Sequence, residues 1–414
     1  MIDFTATQEQ RMLLDMVRRF RREYIDSLEP HKREWIEDAA ERFPWHVVEA
    51  GSRLGLRTLA TPVEYGGGGA SVLTLCMVLE ELAAGDMGVA IIFDQTWKFT
   101  GEIVAKATTE QKDWFFPMFV QDDRFLLASG IVEPEHGSDT SLSRYLATYE
   151  GRPVSLETTA RLENGQWVIS GRKMMPSLGS TAKLVLVQAN TEPGRPIHEG
   201  TSTFLVPTDT PGFRVEHVWD KISQRLVDNA TIVFEGCQVP EDYLLGRRGE
   251  GRASPYIGGG NVEAGATTLG TARATYEAAL EYARQRVQGA RPIIEHQAIG
   301  MMLAEMATEL EAARMLIWRA AVACDQDLPE VGPLRAMAKW FPAEVAVRVC
   351  LKAMEVFGGL SIMREMPVQK HLRDCLSFLH SDGTQQSRKM LIQHHLLGAP
   401  AGMVGTTAPG SYLG

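Results

Sequence analysis

A chain of 414 residues exceeds the size that a single hydrophobic core usually supports, so two or three domains are expected. Hydrophobic residues at 44% and charged residues at 23% are ordinary for a globular protein. The formal net charge of −10, with both signs interspersed, argues against nucleic-acid binding as the main task and gives no reason to expect an anionic membrane partner. No apolar run reaches the roughly 20 residues that span a bilayer, and the start "MIDFTATQEQRMLLDMV" has no basic stretch followed by an apolar one. The five cysteines are scattered and never form CxxC, so reduced thiols in a cytoplasmic protein are expected.

The first third reads as helical. Thr7 and Gln10 form a capping box, and Leu13, Val17, Phe20 and Tyr24 share one face at helical spacing. "TPVEYGGGGAS" interrupts this pattern as a flexible surface turn, and "LTLCMVLEELAAGDMGVAIIFDQTW" restores helix with little charge. From about residue 125 the texture changes to short β-rich runs such as "FLLASGIV", "QWVISG", "LVLVQA" and "TIVFEG", separated by turn chemistry, which predicts an antiparallel β domain. After residue 255 helical periodicity returns: Leu269, Tyr276, Leu280, Ala283 and Val287 form one stripe, and Ile299, Met302, Leu303, Met306 and Leu310 another. The expected class is α+β, with a helical domain over 1–124, a middle β domain over 125–244 and a second helical domain over 245–414.

Several familiar chemistries are absent from the sequence. The glycine run lacks the Lys-Ser/Thr of a P-loop, no GxGxxG opens a βαβ unit, and neither HExxH nor GxSxG occurs. Three glycine-bearing turns remain. "VEPEHGSD" follows a strand and could offer backbone N–H groups to an anion or a polar ring edge. "SGRKMMPSLGS" leaves a strand into a similar turn. "EVFGG" breaks a helix where backbone can approach a ligand closely. Taken singly, none is specific.

Taken in order, "EYGGGGAS", "EPEHGSD", "SGRKMMPSLGSTAKLVLV", "VPEDYLLGRRGEG", "EHQAIGMMLAEMATELEAAR" and "EVFGG…RD…DGT" resemble the acyl-CoA dehydrogenase superfamily of flavoproteins over essentially the whole chain. The resemblance implies an N-terminal helical domain, a middle β domain and a C-terminal four-helix bundle. It also implies non-covalent FAD, an acyl-CoA thioester substrate, an electron-transfer flavoprotein or similar acceptor, and a homotetramer built as a dimer of dimers. By the same likeness Ile131, Val132, Gly137 and Ser138 lie along the flavin and the thioester, and Met175 and Ser177 flank the flavin ring. Arg286, Gln297, Glu355, Gly358 and Gly359 reach a partner subunit's cofactor, while Thr384 and Gln386 contact FAD just past the catalytic position. In most of the family a glutamate before Gly-Thr removes the α-proton; here that position is Asp382, followed by Gly383. The alternative for Asp382 is a structural N-cap carboxylate.

The departures from the family pattern carry information. An aspartate arm is shorter by one C–C bond, roughly 1.5 Å, so a straight acyl chain sits too far from it. A cyclic or α-branched acyl group is expected, and Ser381, in place of a common tyrosine, widens the same wall. Asp94, in "GVAIIFDQTWKF", falls by the likeness at the deep end of the acyl pocket, as a second base, a polar anchor or a paired buried acid. Glu263 is a rival base, although the alignment places Asn261 or Gly260 nearest that slot, where Asn261 would meet substrate. Val132, Met175 and Ser177 replace residues that usually touch the flavin, and the longer stretch "SRYLATYEGRPVSLETTA" should reshape the ligand's entrance. A nitroalkane-oxidase-type flavin oxidase, with Arg388 six residues after the aspartate, is the competing reading. A flavin monooxygenase would not need the carboxylate.

Overall fold

The computed structural model describes residues 5–26, 42–143, 148–149, 152–250 and 260–397. The N-terminal helices are α1 (Gln8–Phe20), α2 (Trp45–Arg53), α3 (Val72–Gly85), α4 (Met87–Lys106) and α5 (Thr109–Gln121). The capping box at Thr7 and Gln10 is formed, and it turns Val17 and Phe20 into the core. Asp86 ends α3 and caps α4, accepting from Val89 N–H at 3.1 Å. Buried residues run along α4 from Met87 to Ile103, so the polar side chains among them must find partners inside the protein. The segment 66–69 departs from the loose turn expected of it. Its four N–H groups donate to the carbonyls of Val63, Pro62, Thr58 and Thr61, folding it tightly onto the preceding turn.

An eight-stranded sheet follows: β1 (Leu127–Gly130), β2 (Thr159–Glu163), β3 (Gln166–Ser177), β4 (Leu184–Asn190), β5 (Thr201–Pro207), β6 (Phe213–Val218), β7 (Asn229–Pro240) and β8 (Leu244–Leu245). The sheet order is β8-β5-β4-β2-β3-β7-β6, with β1 lying beside β4. The sheet is not wholly antiparallel. β1 runs parallel to β4, with Leu127 opposite Leu184, and β2 meets β4 in parallel at Thr159 and Asn190. These pairs join strands far apart in sequence, where no hairpin turn forces reversal. A short helix, α6 (Ser138–Leu142), leaves the loop after β1. The entrance stretch after it lies partly outside the described residues.

The C-terminal helices are α7 (Gly260–Gln285), α8 (Gln297–Asp325), α9 (Val331–Phe357), α10 (Pro367–Ser377) and α11 (Gln385–Leu396). Helix α7 ends before Val287, which belongs instead to a small hairpin with Pro292. Helix α7 packs closely on both sides. A Cβ at Gly265 would lie 2.0 Å from the Ala338 carbonyl oxygen, and one at Gly270 would lie 2.3 Å from that of Glu80. This brings α3, α7 and α9 into backbone-to-backbone contact. Among the described residues no helix is long and apolar enough to cross a membrane, and all five cysteines are free thiols.

Candidate active site

A cavity of about 480 Å³ opens where the two helical domains meet the edge of the sheet, within the range of small-molecule sites. Helix α4 contributes Ile91, Gln95 and Phe99, four residues apart and therefore on one face. The middle domain contributes Ile131, Val132, Gly137 and Ser138 after β1, and Met175 and Ser177 at the end of β3. Asp382, Gly383 and Arg388 close the C-terminal side.

Each wall is held by identifiable contacts. Met175 has a left-handed backbone, φ 63°, and is half exposed. The Asn229 side-chain amide fixes this corner by donating to the Met175 carbonyl at 2.6 Å and to Ser177 Oγ at 3.2 Å. Lys221, also on the cavity, donates to Asn229 Oδ1 at 2.6 Å. Burial pushes the Lys221 ammonium down to about 8, against the pull of Asp228 and Asp374.

The corner carrying Asp382 is built with similar economy. Helix α10 stops at Ser377, and the chain turns through Asp382 at φ 52° and Gly383 at φ 87°. Thr384, not Asp382, caps α11, accepting from Ser387 N–H at 3.2 Å. Gly383 is required sterically as well as conformationally, since a Cβ there would lie 2.0 Å from Arg388 Nη2. Lys339 reaches across from α9, donates to the carbonyls of Phe378 and Gly383, and meets Gln385 Oε1 at 3.1 Å. Burial pushes the Lys339 ammonium down to about 7, opposed by the Asp382 charge.

Lys98 stands behind the Asp382 carboxylate. Its Nζ donates to Asp382 Oδ2 at 2.9 Å and to Asp94 Oδ2 at 2.6 Å. The Lys98 and Asp94 side chains are wholly buried, whereas 13% of the Asp382 side chain is exposed. Burial pushes the Asp94 carboxyl up to about 6; Lys98 opposes this and the Asp382 charge adds to it. Glu263, also buried, is pushed up to about 8 by burial and then by Asp94. Among the described residues, Asp94 Oδ1, Glu263 Oε2 and Asn261 Oδ1 have no hydrogen-bond partner.

The structure thus gathers Ile131, Val132, Gly137, Ser138, Met175, Ser177, Asp382 and Gly383 around one space. Thr384 is adjacent, its Oγ1 3.4 Å from Ser138 Oγ, and Gln386 is exposed on the first turn of α11. Asp94, Asn261 and Glu263 are buried behind the wall rather than on it. Arg286, Gln297, Glu355, Gly358 and Gly359 do not join this cavity. They are exposed near one end of the C-terminal helices, where Tyr282 stacks on Phe357 at 4.3 Å. Sequence reasoning missed Lys98, Lys221 and Lys339. Only Lys98 had a legible signal, an acid and a lysine four residues apart on an otherwise apolar helix.

Sequence models of the acyl-CoA dehydrogenase N-terminal, middle and C-terminal domains match residues 7–123, 128–237 and 255–397. An acyl-CoA dehydrogenase of Bacillus subtilis (strain 168) is 33% identical, the match covering 95% of this chain and 99% of the relative. The chain belongs to the acyl-CoA dehydrogenase family. Another relative, the cyclohex-1-ene-1-carbonyl-CoA dehydrogenase of Syntrophus aciditrophicus (strain SB), is 31% identical over 94% of this chain and 90% of its own. The solved butyryl-CoA dehydrogenase of Megasphaera elsdenii superposes with a TM-score of 0.86 at 30% identity, covering 96% of this chain and all of that one.

Acyl-CoA dehydrogenases of this fold use FAD, and the donors present suit it. Ile131, Met174, Met175 and Pro176 offer apolar surface to a flat ring, while Ser138, Ser141 and Ser177 offer hydroxyls to its polar edges. At the far end of the C-terminal helices, Gly358 (φ 61°) and Gly359 each have open space where a Cβ would be, leaving bare backbone for a ligand to approach.

Proposed function

We propose that this protein is an FAD-dependent acyl-CoA dehydrogenase in which Asp382 removes the α-proton of a cyclic or α-branched acyl thioester. The observation that carries the reading is the placement of the Asp382 carboxylate. It is mostly buried, it lines the cavity, and it is not spent on capping the following helix. A carbon acid is weak, so its base must be held in a largely dry site within hydrogen-bond reach of the C–H bond. As the α C–H bond breaks, its proton passes to an Asp382 oxygen and its electron pair forms the new double bond. FAD, when bound, supplies the acceptor for the hydride that leaves the β-carbon.

The chain's own residues account for the rest. Ile91 and Phe99 exclude water beside the acyl group, and Ser138 and Ser177 offer hydroxyls to polar atoms. The short arm of Asp382 favours an acyl group that is wide at its α-carbon, and the relative named for a cyclohexene thioester supports that preference. An electron-transferring flavoprotein or similar acceptor, and a homotetramer, belong to the same reading. The exposure of Arg286, Gln297, Glu355, Gly358 and Gly359 supports a partner subunit's cofactor lying there. The oxidase reading rests on Arg388, whose guanidinium packs against Gly383 at the cavity.

The test is anaerobic titration of the flavin-loaded protein with alicyclic, branched and straight acyl thioesters, and separately with nitroalkanes. Bleaching of the visible flavin band by the first two groups is expected. Asp382→Asn should keep the flavin and lose at least about a hundredfold in bleaching rate, because general-base catalysis contributes roughly 10²–10⁴. Undiminished bleaching in that variant would remove Asp382 from the role, and bleaching by nitroalkanes alone would favour the oxidase.

A further inference from the structure

We propose that Lys98 is a positioning residue for Asp382: its ammonium, held from behind by Asp94, fixes one carboxylate oxygen and so presents the other to the acyl group. The proposal rests on the reading of Asp382 as the base. Its geometry is independent of that reading.

A carboxylate has two oxygens and about four lone-pair sites. In Asp382, Oδ2 is taken by Lys98 Nζ at 2.9 Å, while the side chain remains partly open to the cavity. A short side chain on a left-handed corner has few rotamers, and an ion pair to a buried partner removes most of those that remain. The anchor is itself rigid. Lys98 lies one helical turn from Asp94 on α4, and Asp94 Oδ2 also accepts from Gln95 Nε2 at 3.3 Å. Gln95 lines the cavity with Ile91 and Phe99, so Lys98 sits one row behind that wall and does not occupy the ligand's space.

The arrangement answers a difficulty of the shorter base. A glutamate could reach its substrate through several conformers. An aspartate has one fewer torsion to spend, so its aim must come from outside. Holding the reacting oxygen within a fraction of an ångström is the kind of task for which misplacement costs about 10²-fold in rate. Asp94, on this account, is the counter-charge that keeps Lys98 in place. It is an indirect support rather than a group that meets substrate.

The decisive variant is the paired change Asp94→Asn with Lys98→Met. It removes one negative and one positive charge together and leaves Asp382 free to turn. In the flavin-loaded protein, the reduction rate by an alicyclic thioester should fall at least about tenfold. The dissociation constant of a redox-inert thioether analogue, read from the flavin spectrum, should stay within about twofold. Where the paired change does not fold, Lys98→Gln keeps a donor of similar length and should show the same split more weakly. In the flavin-loaded protein, Lys98→Gln and Asp382→Asn should shift the denaturant midpoint non-additively, since they remove one shared contact. Reduction at the wild-type rate, or additive midpoints, would overturn the proposal. Asp382→Asn is run beside these variants. If it still bleaches, the base reading has failed; if it is inert while the paired change runs at full rate, only the role of Lys98 has failed.

Discussion

Lys173 and Lys98 are both buried and both hold carboxylates, with different consequences. Lys173 on β3 meets Glu133 at 2.6 Å, both side chains wholly buried. Glu133 also accepts from the N–H groups of Glu157 and Thr158 at 2.7 and 3.0 Å, and Lys173 reaches the Ile131 carbonyl at 3.3 Å. Burial works against the Glu133 charge, but Lys173 and these donors outweigh it and hold the carboxyl below its usual range. Lys98, by contrast, is shared by two acids. One of them, Asp94, keeps an unpartnered oxygen among the described residues, and the other opens on the cavity. A fully satisfied ion pair is a structural clamp, whereas a cluster with spare acceptor capacity beside a cavity marks a place for chemistry.

Breaking the clamp should therefore cost stability, and breaking the open cluster should cost rate. Lys173→Met leaves Glu133 buried without its cation and should destabilise the protein by about 3–5 kcal/mol, read from denaturant unfolding. The loop 131–139 runs from that clamp to α6, so flavin retention should fall with it. Asp382→Asn should change the unfolding midpoint far less while abolishing most of the reduction rate. Equal losses of stability in the two variants would erase the distinction.

The contrast also shows what the sequence made legible. The order of helical and β segments was readable because periodicity survives any packing, and the turn motifs were readable because Gly137, Gly358 and Gly383 mark backbone that must bend or stay bare. Parallel pairing of β1 with β4 was not, because nothing local in "FLLASGIV" names its distant neighbour. The tight packing of 66–69 was hidden for a different reason: its partners are main-chain carbonyls of 58–63, which carry no side-chain signature. Lys221 is brought to the cavity by the 220–229 loop, and Lys98 and Lys339 are brought behind its wall by α4 and α9, three segments that meet only in the folded chain. Lysines read as solvent-facing until the fold shows otherwise. Asp94 read as a cavity residue because the sequence gives its helix but not which row of that helix faces the ligand.

A third acid, buried beside the open cluster, offers a pH-dependent test. Glu263 is pushed from 4.5 up to about 8, so the folded protein binds its proton more tightly than the unfolded chain does. Between those values the folded state holds the extra proton, and stability therefore falls as pH rises from about 4.5 to 8, with the full cost present above 8. Glu263→Gln should leave stability unchanged below pH 4.5 and raise it progressively up to pH 8, by an amount on the order of 1–3 kcal/mol. Asp94 contributes a cost of the same sign between 3.8 and about 6. Lys339, pushed from 10.5 down to about 7, has the opposite slope at higher pH, where stability is regained between 7 and 10.5. Thermal unfolding of wild type and Glu263→Gln across pH 4–8 checks the sign. A gap that stayed constant with pH would place the Glu263 proton elsewhere.

The smallest expected effect separates the corner's architecture from its chemistry. Thr384 satisfies the start of α11 by accepting from Ser387 N–H, and its Oγ1 sits 3.4 Å from Ser138 Oγ on the middle domain. Thr384→Ala should cost about 1 kcal/mol, the usual loss for an N-cap hydroxyl. Thr384→Ser, which keeps the oxygen, should cost little. Because Asp382 is aimed by Lys98 on α4 and Gly383 is held by Lys339 on α9, neither of which lies on α11, the reduction rate in Thr384→Ala should stay within about threefold of wild type once flavin is saturating. A loss as large as that of Asp382→Asn would mean that the cap itself sets the position of the base, and that the carboxylate's aim comes from α11 rather than from the lysine behind it.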